Sequence, residues 1–270
     1  MAPLTSNQEL LLAMKTKEIL ALFDAQERRN VTFPDMQRDV CFHVVRFVGR
    51  SSDPSFVLYS DLNEINADAE IRVQIEFFSQ RQQSFEWKVY DYDQPHDLLQ
   101  RIMDHGLELE DTDAVMVLDL QDALPALLAP TTDVDVRQIT QPKGLEDVRQ
   151  VEEQVWGADF AWIQERLGAH LQIPDFLSVY VAYVDNVPAC TGWTYYNANS
   201  DFAGLWGGST LDRYRGRGLY TALLAMRAHE AIDRGRRFLT IDASPMSQPI
   251  VTRHGFRLLA FAHACKWRPK

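Results

Sequence analysis

The sequence predicts an α/β (α+β) fold built in two halves, and three observations carry that prediction. Hydrophobic residues make up 46% of 270 positions, enough to bury a sizeable core and too many for a disordered chain. Between residues 133 and 269 the apolar spacing alternates between strand and helix periods. It gives strand, two helices, three strands, helix, strand, helix, strand. Upstream, residues 56–59, 67–81 and 85–90 repeat the strand–helix–strand part of that order.

Each element has its own signal. Residues 6–28 read as a helix, with Ser6 as its N-cap candidate and Leu12, Ile19, Leu22 and Phe23 on one side. Val40, Phe42 and Val44 alternate, so 40–47 reads as a strand, and 56–59 as another. Ile71, Ile75 and Phe78 stand at helical spacing within 67–81. FEWKVY (85–90) is a strand, 96–105 a short helix ending at Gly106, and AVMVL (114–118) a strand. Pro125, Pro130 and two threonines then interrupt the pattern, which puts a domain boundary near 130 and gives domains 1–130 and 131–270. Residues 134–139 alternate as a strand. Leu145, Val148, Val151 and Val155 mark a helix, followed by a second over 160–171. SVYVAYV (178–184), 189–196 and 202–211 read as strands. A helix runs from 219 to a stop at Gly235, then come a strand at 238–241, a short helix at 247–254 and a last strand at 256–267.

The most informative stretch is LDRYRGRGLYTALLAM, Leu211–Met226. It joins a strand to a long helix through a turn holding Gly216 and Gly218, where the new helix leaves backbone N–H groups unpaired. Arg213, Arg215 and Arg217 add positive charge there. Bare amides, a helix N-terminus and arginines together suit phosphate oxygens. Thr221 stands where a dinucleotide fingerprint needs its third glycine, and no Gly-Lys pair exists for a nucleotide-triphosphate loop.

Arg213-x-x-Gly216-x-Gly218 resembles the pyrophosphate signature of the GNAT superfamily, the acetyl-CoA-dependent N-acyltransferases. The element order of 133–269 and the closing IVTRHGF (250–256) resemble the same family. The resemblance implies a central mixed, mostly antiparallel sheet flanked by helices in the C-terminal half. Asp104-His105-Gly106-Leu107 echoes Arg253-His254-Gly255-Phe256, so the N-terminal half is similar to a degenerate GNAT-like repeat. The alternative is an unrelated α/β domain. Its 67–81 helix starts with Asn66-Ala67-Asp68-Ala69-Glu70, acidic where a pyrophosphate would lie, so this half is expected to bind no coenzyme A.

The resemblance implies acetyl-CoA as co-substrate, held by Ser209, Thr210, Leu211, Arg213, Arg215, Gly216, Arg217, Gly218, Leu219, Tyr220 and Ser244. Gly207-Gly208 suits a bulge that bares a backbone N–H for the thioester carbonyl. Trp206 occupies the place of the family's strand glutamate. Asp242, ending the 238–241 strand, is the candidate general base, with Asp201 second. The other reading of Asp242 is a carboxylate that caps the 247 helix or holds the splayed strand. Val251 stands where the family often has its acidic tyrosine; Tyr195, Tyr196, His263, Cys265 or solvent are the substitutes. Trp193, Tyr195, Tyr196 and Trp206 either line an acceptor pocket or form ordinary core.

The net charge of −11 argues against a nucleic-acid partner and steers cations toward the protein. No metal-ligand spacing occurs, so no metal is expected. Three dispersed cysteines, no apolar run long enough to span a bilayer, and Glu9, Lys15 and Lys17 in place of a secretory pattern lead to the expectation of a reducing, cytoplasmic setting without a membrane partner. The expected activity is transfer of an acetyl group to a small-molecule or protein amine. A non-catalytic acyl-CoA sensor and a coenzyme-free structural protein are the alternatives, and a homodimer is left open.

Overall fold

The computed structural model describes residues 6–50, 54–129 and 133–269. In chain order the first half lays down α1 (Ser6–Phe23), β1 (Gln37–Cys41), β2 (Val44–Val48), β3 (Ser55–Ser60), α2 (Ala67–Gln80), β4 (Phe85–Tyr90), α3 (Leu98–Asp104) and β5 (Glu108–Asp119). The second half adds β6 (Asp135–Ile139), α4 (Leu145–Trp156), α5 (Trp162–His170), β7 (Leu177–Val184), β8 (Val187–Tyr195) and β9 (Phe202–Trp206). It closes with α6 (Leu219–Asp233), β10 (Phe238–Ala243), α7 (Gln248–Arg253) and β11 (Arg257–Trp267). Among the described residues no helix is long and apolar enough to cross a membrane.

The chain forms two compact units. One takes residues up to Met116 together with Asp242–Gln248 and everything from Leu258 on; the other takes Val117–Ile241 and Pro249–Arg257. The boundary expected near 130 falls on residues 130–132, outside the described residues. A single cut there also differs from this division, because β11 belongs with the first unit. It runs antiparallel to β4 over six residue pairs, from Ala262↔Tyr90 to Trp267↔Phe85.

In the first unit the strand order is β1-β2-β3-β4-β11-β5. β3 and β4 are parallel, as α2 between them requires. α2 and α3 bury Ile71, Phe78, Leu98 and Ile102 against Phe85, Trp87 and Cys265. The strand expected over 40–47 is instead the hairpin β1–β2, with Cys41 opposite Val44. Phe42 takes a left-handed φ of +45° in the turn and is 96% exposed, so its place in the apolar alternation is a coincidence of sequence.

In the second unit the order is β10-β9-β8-β7-β6. Antiparallel β6, β7, β8 and β9 are followed by the parallel pair β9–β10 across α6. Alternate residues of the sheet face opposite ways. α4 and α5 pack Leu145, Val148, Ile163 and Leu167 on Val179, Val181 and Trp193. α6 packs Leu219 and Leu223 on Tyr180, Ala182 and Cys190. Each such aliphatic side chain stabilises the unit by roughly 1.5–3 kcal/mol.

Candidate functional site

β9 fixes the site in the second unit. It pairs with β10 at Phe202↔Phe238, Ala203↔Leu239 and Gly204↔Thr240, and the pairing stops there although both strands continue. On its other edge β9 stays with β8 through Trp206↔Trp193. The ladder resumes at Thr210↔Cys190, so Gly207, Gly208 and Ser209 stand opposite only Thr191 and Gly192. That extra residue is a bulge. The strand expected over 202–211 therefore ends at Trp206.

Glycine is required in the bulge. Gly207 has φ +60°, and a Cβ on it would meet the Trp193 ring; a Cβ on Gly208 would stand 2.8 Å from Cε2 of Tyr220. The Thr191 amide donates to the Ser209 carbonyl (2.9 Å), and the Ser209 amide donates to that of Gly207 (2.8 Å). None of the backbone bonds around the bulge uses the amides of Gly207 or Gly208.

The turn beyond it is open. The Leu211 amide donates to Ala189 O and the Tyr214 amide to Leu211 O, which anchors a short helical turn. Gly216 and Gly218 have φ of +74° and +77°, and nothing lies within 4 Å of where their Cβ atoms would be. No side chain caps α6. The first backbone bond into it is Ala222 N–H to Gly218 O, so the amides of Leu219, Tyr220 and Thr221 face out of the helix. Arg213, Arg215 and Arg217 are exposed around them. Arg215 is held by Asp212 (2.9 Å) and by the Thr210 carbonyl (3.3 Å), while the Arg213 and Arg217 guanidinium groups lie beside the Tyr214 ring. The open space, the outward amides and the two unpaired arginines fit a pyrophosphate.

Two buried charges beside the bulge have no local sequence motif. Glu152 on α4 accepts from Thr191 Oγ1 (2.6 Å), Ser209 Oγ (2.7 Å) and Trp156 Nε1 (3.0 Å). Burial pushes its carboxyl pKa up, against those three donors. On the opposite face Arg227 of α6 is fully buried. It donates from Nη1 to the Trp206 carbonyl and from Nε to the Leu223 carbonyl (both 3.4 Å). Its Nη2 has no hydrogen-bond partner. Gly192 makes room for it, since a Cβ there would stand 2.9 Å from Nη1.

The candidate catalytic residues fare differently. Ser209 through Tyr220 all lie in the second unit, whereas Asp242 and Ser244 fall in the first. Asp242 forms an ion pair with Lys88. Burial depresses the Lys88 ammonium, but Asp242, with Tyr90 and Glu86, outweighs it and the net shift is upward. Ser244 bonds Ser247 within its own turn. The Asp201 carbonyl takes the amides of Arg237 and Phe238. Val251 is fully buried. Of its proposed substitutes, Tyr196 donates to Glu230 (3.0 Å) and Tyr195 meets His170 (2.9 Å). His263 bonds Thr112 in the first unit, and Cys265 there is buried with its thiol pushed up to about 11.

No protein-family model and no curated protein matches the chain. Solved structures do. A GCN5-related N-acetyltransferase from Kribbella flavida superposes with a TM-score of 0.68 at 14% identity, over 96% of this chain and 95% of the other. A tandem GNAT protein from the clavulanic acid biosynthesis pathway gives 0.63 at 12%, over 99% and 97%. A GCN5-related N-acetyltransferase from Sphaerobacter thermophilus gives 0.59 at 15%, over 94% and 86%. The chain has the GNAT fold, in the tandem form that spans both halves.

Proposed function

We propose that the protein transfers an acetyl group from acetyl-CoA to a primary amine, with the second unit as the catalytic one. The carrying observation is one strand, β9, that leaves β10, bulges with two uncommitted amides, and leads into an uncapped helix N-terminus. The amides of Leu219, Tyr220 and Thr221 and the side chains of Arg213 and Arg217 take the pyrophosphate. Acetyl-CoA supplies a thioester activated toward attack by an amine.

The amine nitrogen bonds to the carbonyl carbon and the carbon–sulfur bond breaks. The charge that gathers on the carbonyl oxygen meets the Gly207 or Gly208 amide, and the Arg227 guanidinium on the Trp206 carbonyl adds a fixed positive charge to that neighbourhood. Asp242 is assigned a structural role through Lys88, so the amine sheds its proton to solvent and the thiolate leaves without a tyrosine donor. In the first unit the first turn of α2 carries Asp68 and Glu70, and Asp68 is tied to Arg101 and His105. That unit is proposed to bind no coenzyme A.

A second reading, a non-catalytic acyl-CoA sensor, draws on the buried Val251 and the paired Asp242. Incubation with acetyl-CoA and a panel of amines, following free thiol, separates the two. Amine-dependent thiol release supports transfer. Coenzyme A binding without release under any amine supports the sensor.

A further inference from the structure

The first unit has a break in its own parallel pair, and one side chain fills it. β3 and β4 pair at Ser55↔Phe85, Phe56↔Glu86 and Val57↔Trp87, and the pairing stops there although the strands run on to Ser60 and Tyr90. On its other edge β3 steps from Val57↔Arg46 to Tyr59↔Val45, which leaves Leu58 as the extra residue of a bulge. Backbone groups freed by such a departure need other partners when buried. One ion pair supplies two of them. Arg28 Nε donates to the Leu58 carbonyl (3.2 Å). The Asp91 amide donates to Phe261 O on β11, so the preceding amide, that of Tyr90, turns away from β11, and Asp93 Oδ2 accepts from it (3.0 Å). Arg28 Nη2 in turn reaches both oxygens of Asp93, at 2.9 and 2.8 Å.

Arg28 comes from the π-helical turn Asp24–Arg29 that follows α1. Turns of this kind are frequent at functional positions. Its side chain is fully buried, and all three guanidinium nitrogens are engaged. Nη1 donates to Asp24 Oδ1 (2.5 Å) and to the Tyr92 hydroxyl (3.0 Å). Cζ lies 3.8 Å from the centre of the Tyr90 ring, with the Tyr59 and Tyr92 rings at 5.4 Å. Burial opposes the Arg28 charge, and Asp93, with Tyr90, Tyr92 and Asp24, outweighs it. Two carboxylates, a carbonyl, a phenol and a ring face thus converge on one planar cation. That set matches the flat, five-donor fork of a guanidinium, and an ammonium cannot satisfy it.

We infer that the opening between β3 and β4 is a guanidinium-binding site, that the chain's own Arg28 is its resident ligand, and that this occupant closes the opening to other guests. Emptied of Arg28, the site would keep the Asp24 and Asp93 carboxylates with no cation between them, and would take an alkylguanidinium from solution. The inference is independent of the acetyl-transfer reading, since it concerns the first unit alone and its test uses no coenzyme.

The test is chemical rescue in the full chain. Arg28→Ala removes Cγ, Cδ and the guanidinium group, which are the atoms of N-ethylguanidinium. The variant is expected to melt about 10 °C below the wild type, the scale for stranding a buried charge. Millimolar N-ethylguanidinium should restore at least half of that loss in a saturable way. N-ethylammonium, which has the charge without the fork, and N-ethylurea, which has the planar shape without the charge, should restore none. The wild type, already occupied, should show no saturable response to any of the three. Arg28→Lys keeps a cation on the same stem and serves if Arg28→Ala does not fold; it too should melt below the wild type. Rescue by N-ethylammonium equal to that by N-ethylguanidinium, no rescue of a folded Arg28→Ala chain, or saturable binding of N-ethylguanidinium by the wild type overturns the inference. So does an Arg28→Lys chain that melts with the wild type.

Discussion

The Cβ that Gly207 lacks would fall on the ring of Trp193. The bulge and the Trp193 ring are thus one packed unit, and the backbone can take its turn at φ +60° only because the side chain is absent. Gly207→Ala is expected to lower stability by about 3 kcal/mol, from left-handed strain plus overpacking. It should also abolish turnover while leaving the Gly216–Gly218 turn intact. Urea unfolding and a coenzyme A titration on the variant check both halves. Near-normal stability would mean that Trp193 is free to move away.

Lys88 and Asp242 form a half-buried pair, with side chains 20% and 28% exposed. Removing one partner strands the other's charge, whereas removing both does not. Asp242→Asn is expected to cost about 1–2 kcal/mol, between the values for surface and buried pairs. Lys88→Met in the Asp242→Leu background should recover most of the loss. A double-mutant cycle measures the coupling. A folded Asp242→Asn enzyme whose kcat falls a hundredfold or more would restore Asp242 as the base.

Much of the local backbone geometry of this candidate site was legible in the sequence because its demands are local. An open turn into a helix needs positive φ, and Gly216 and Gly218 supply it within three residues of the start of α6. The bulge was legible at Gly207-Gly208 for the same reason. What escaped is set by contacts distant in sequence. Nothing in 256–267 marks its pairing with β4, since a buried strand looks alike beside any neighbour. Glu152 carries no motif; only the folded sheet brings Thr191 and Ser209 to it. Trp193 and Trp206 stood open between pocket and core in the sequence, and Trp156 and Trp162 carry no motif; only the fold sets those two against Ser209 and Trp193. Arg227 carries no motif either; its place against Gly192 is set by the packing of α6 on β8.

Arg227 is buried beneath Trp206 and Gly192, and none of its hydrogen bonds goes to a carboxylate. A charge in that position is costly, and an apolar replacement of similar length is commonly neutral or stabilising. Arg227→Met should therefore keep or raise the melting temperature while lowering kcat by about a hundredfold, the scale for one oxyanion-stabilising group. A stable variant with unchanged kcat would remove Arg227 from the chemistry.

Glu152 gives the account a pH signature. Burial raises its folded pKa above the unfolded value of about 4.3. Its stabilising contribution is then fully present below that value and is lost as pH rises through the folded pKa. Relative to Glu152→Gln, the wild type should gain melting temperature as pH falls from 7 to 4. Paired thermal melts across that range check the sign. A difference that does not change with pH would contradict the burial argument.

The central claim is that the open turn at Gly216–Gly218 and the amides of α6 hold a pyrophosphate. A thermal melt with coenzyme A at about a hundred times its Kd should stabilise the folded protein by roughly 2.7 kcal/mol, a rise of about 5–10 °C for a chain of this size. Gly218→Glu, which sets an anion in the empty space above the turn, should fold and show no rise. An unmoved wild type, or a folded Gly218→Glu protein that rises as much as the wild type, would contradict the account.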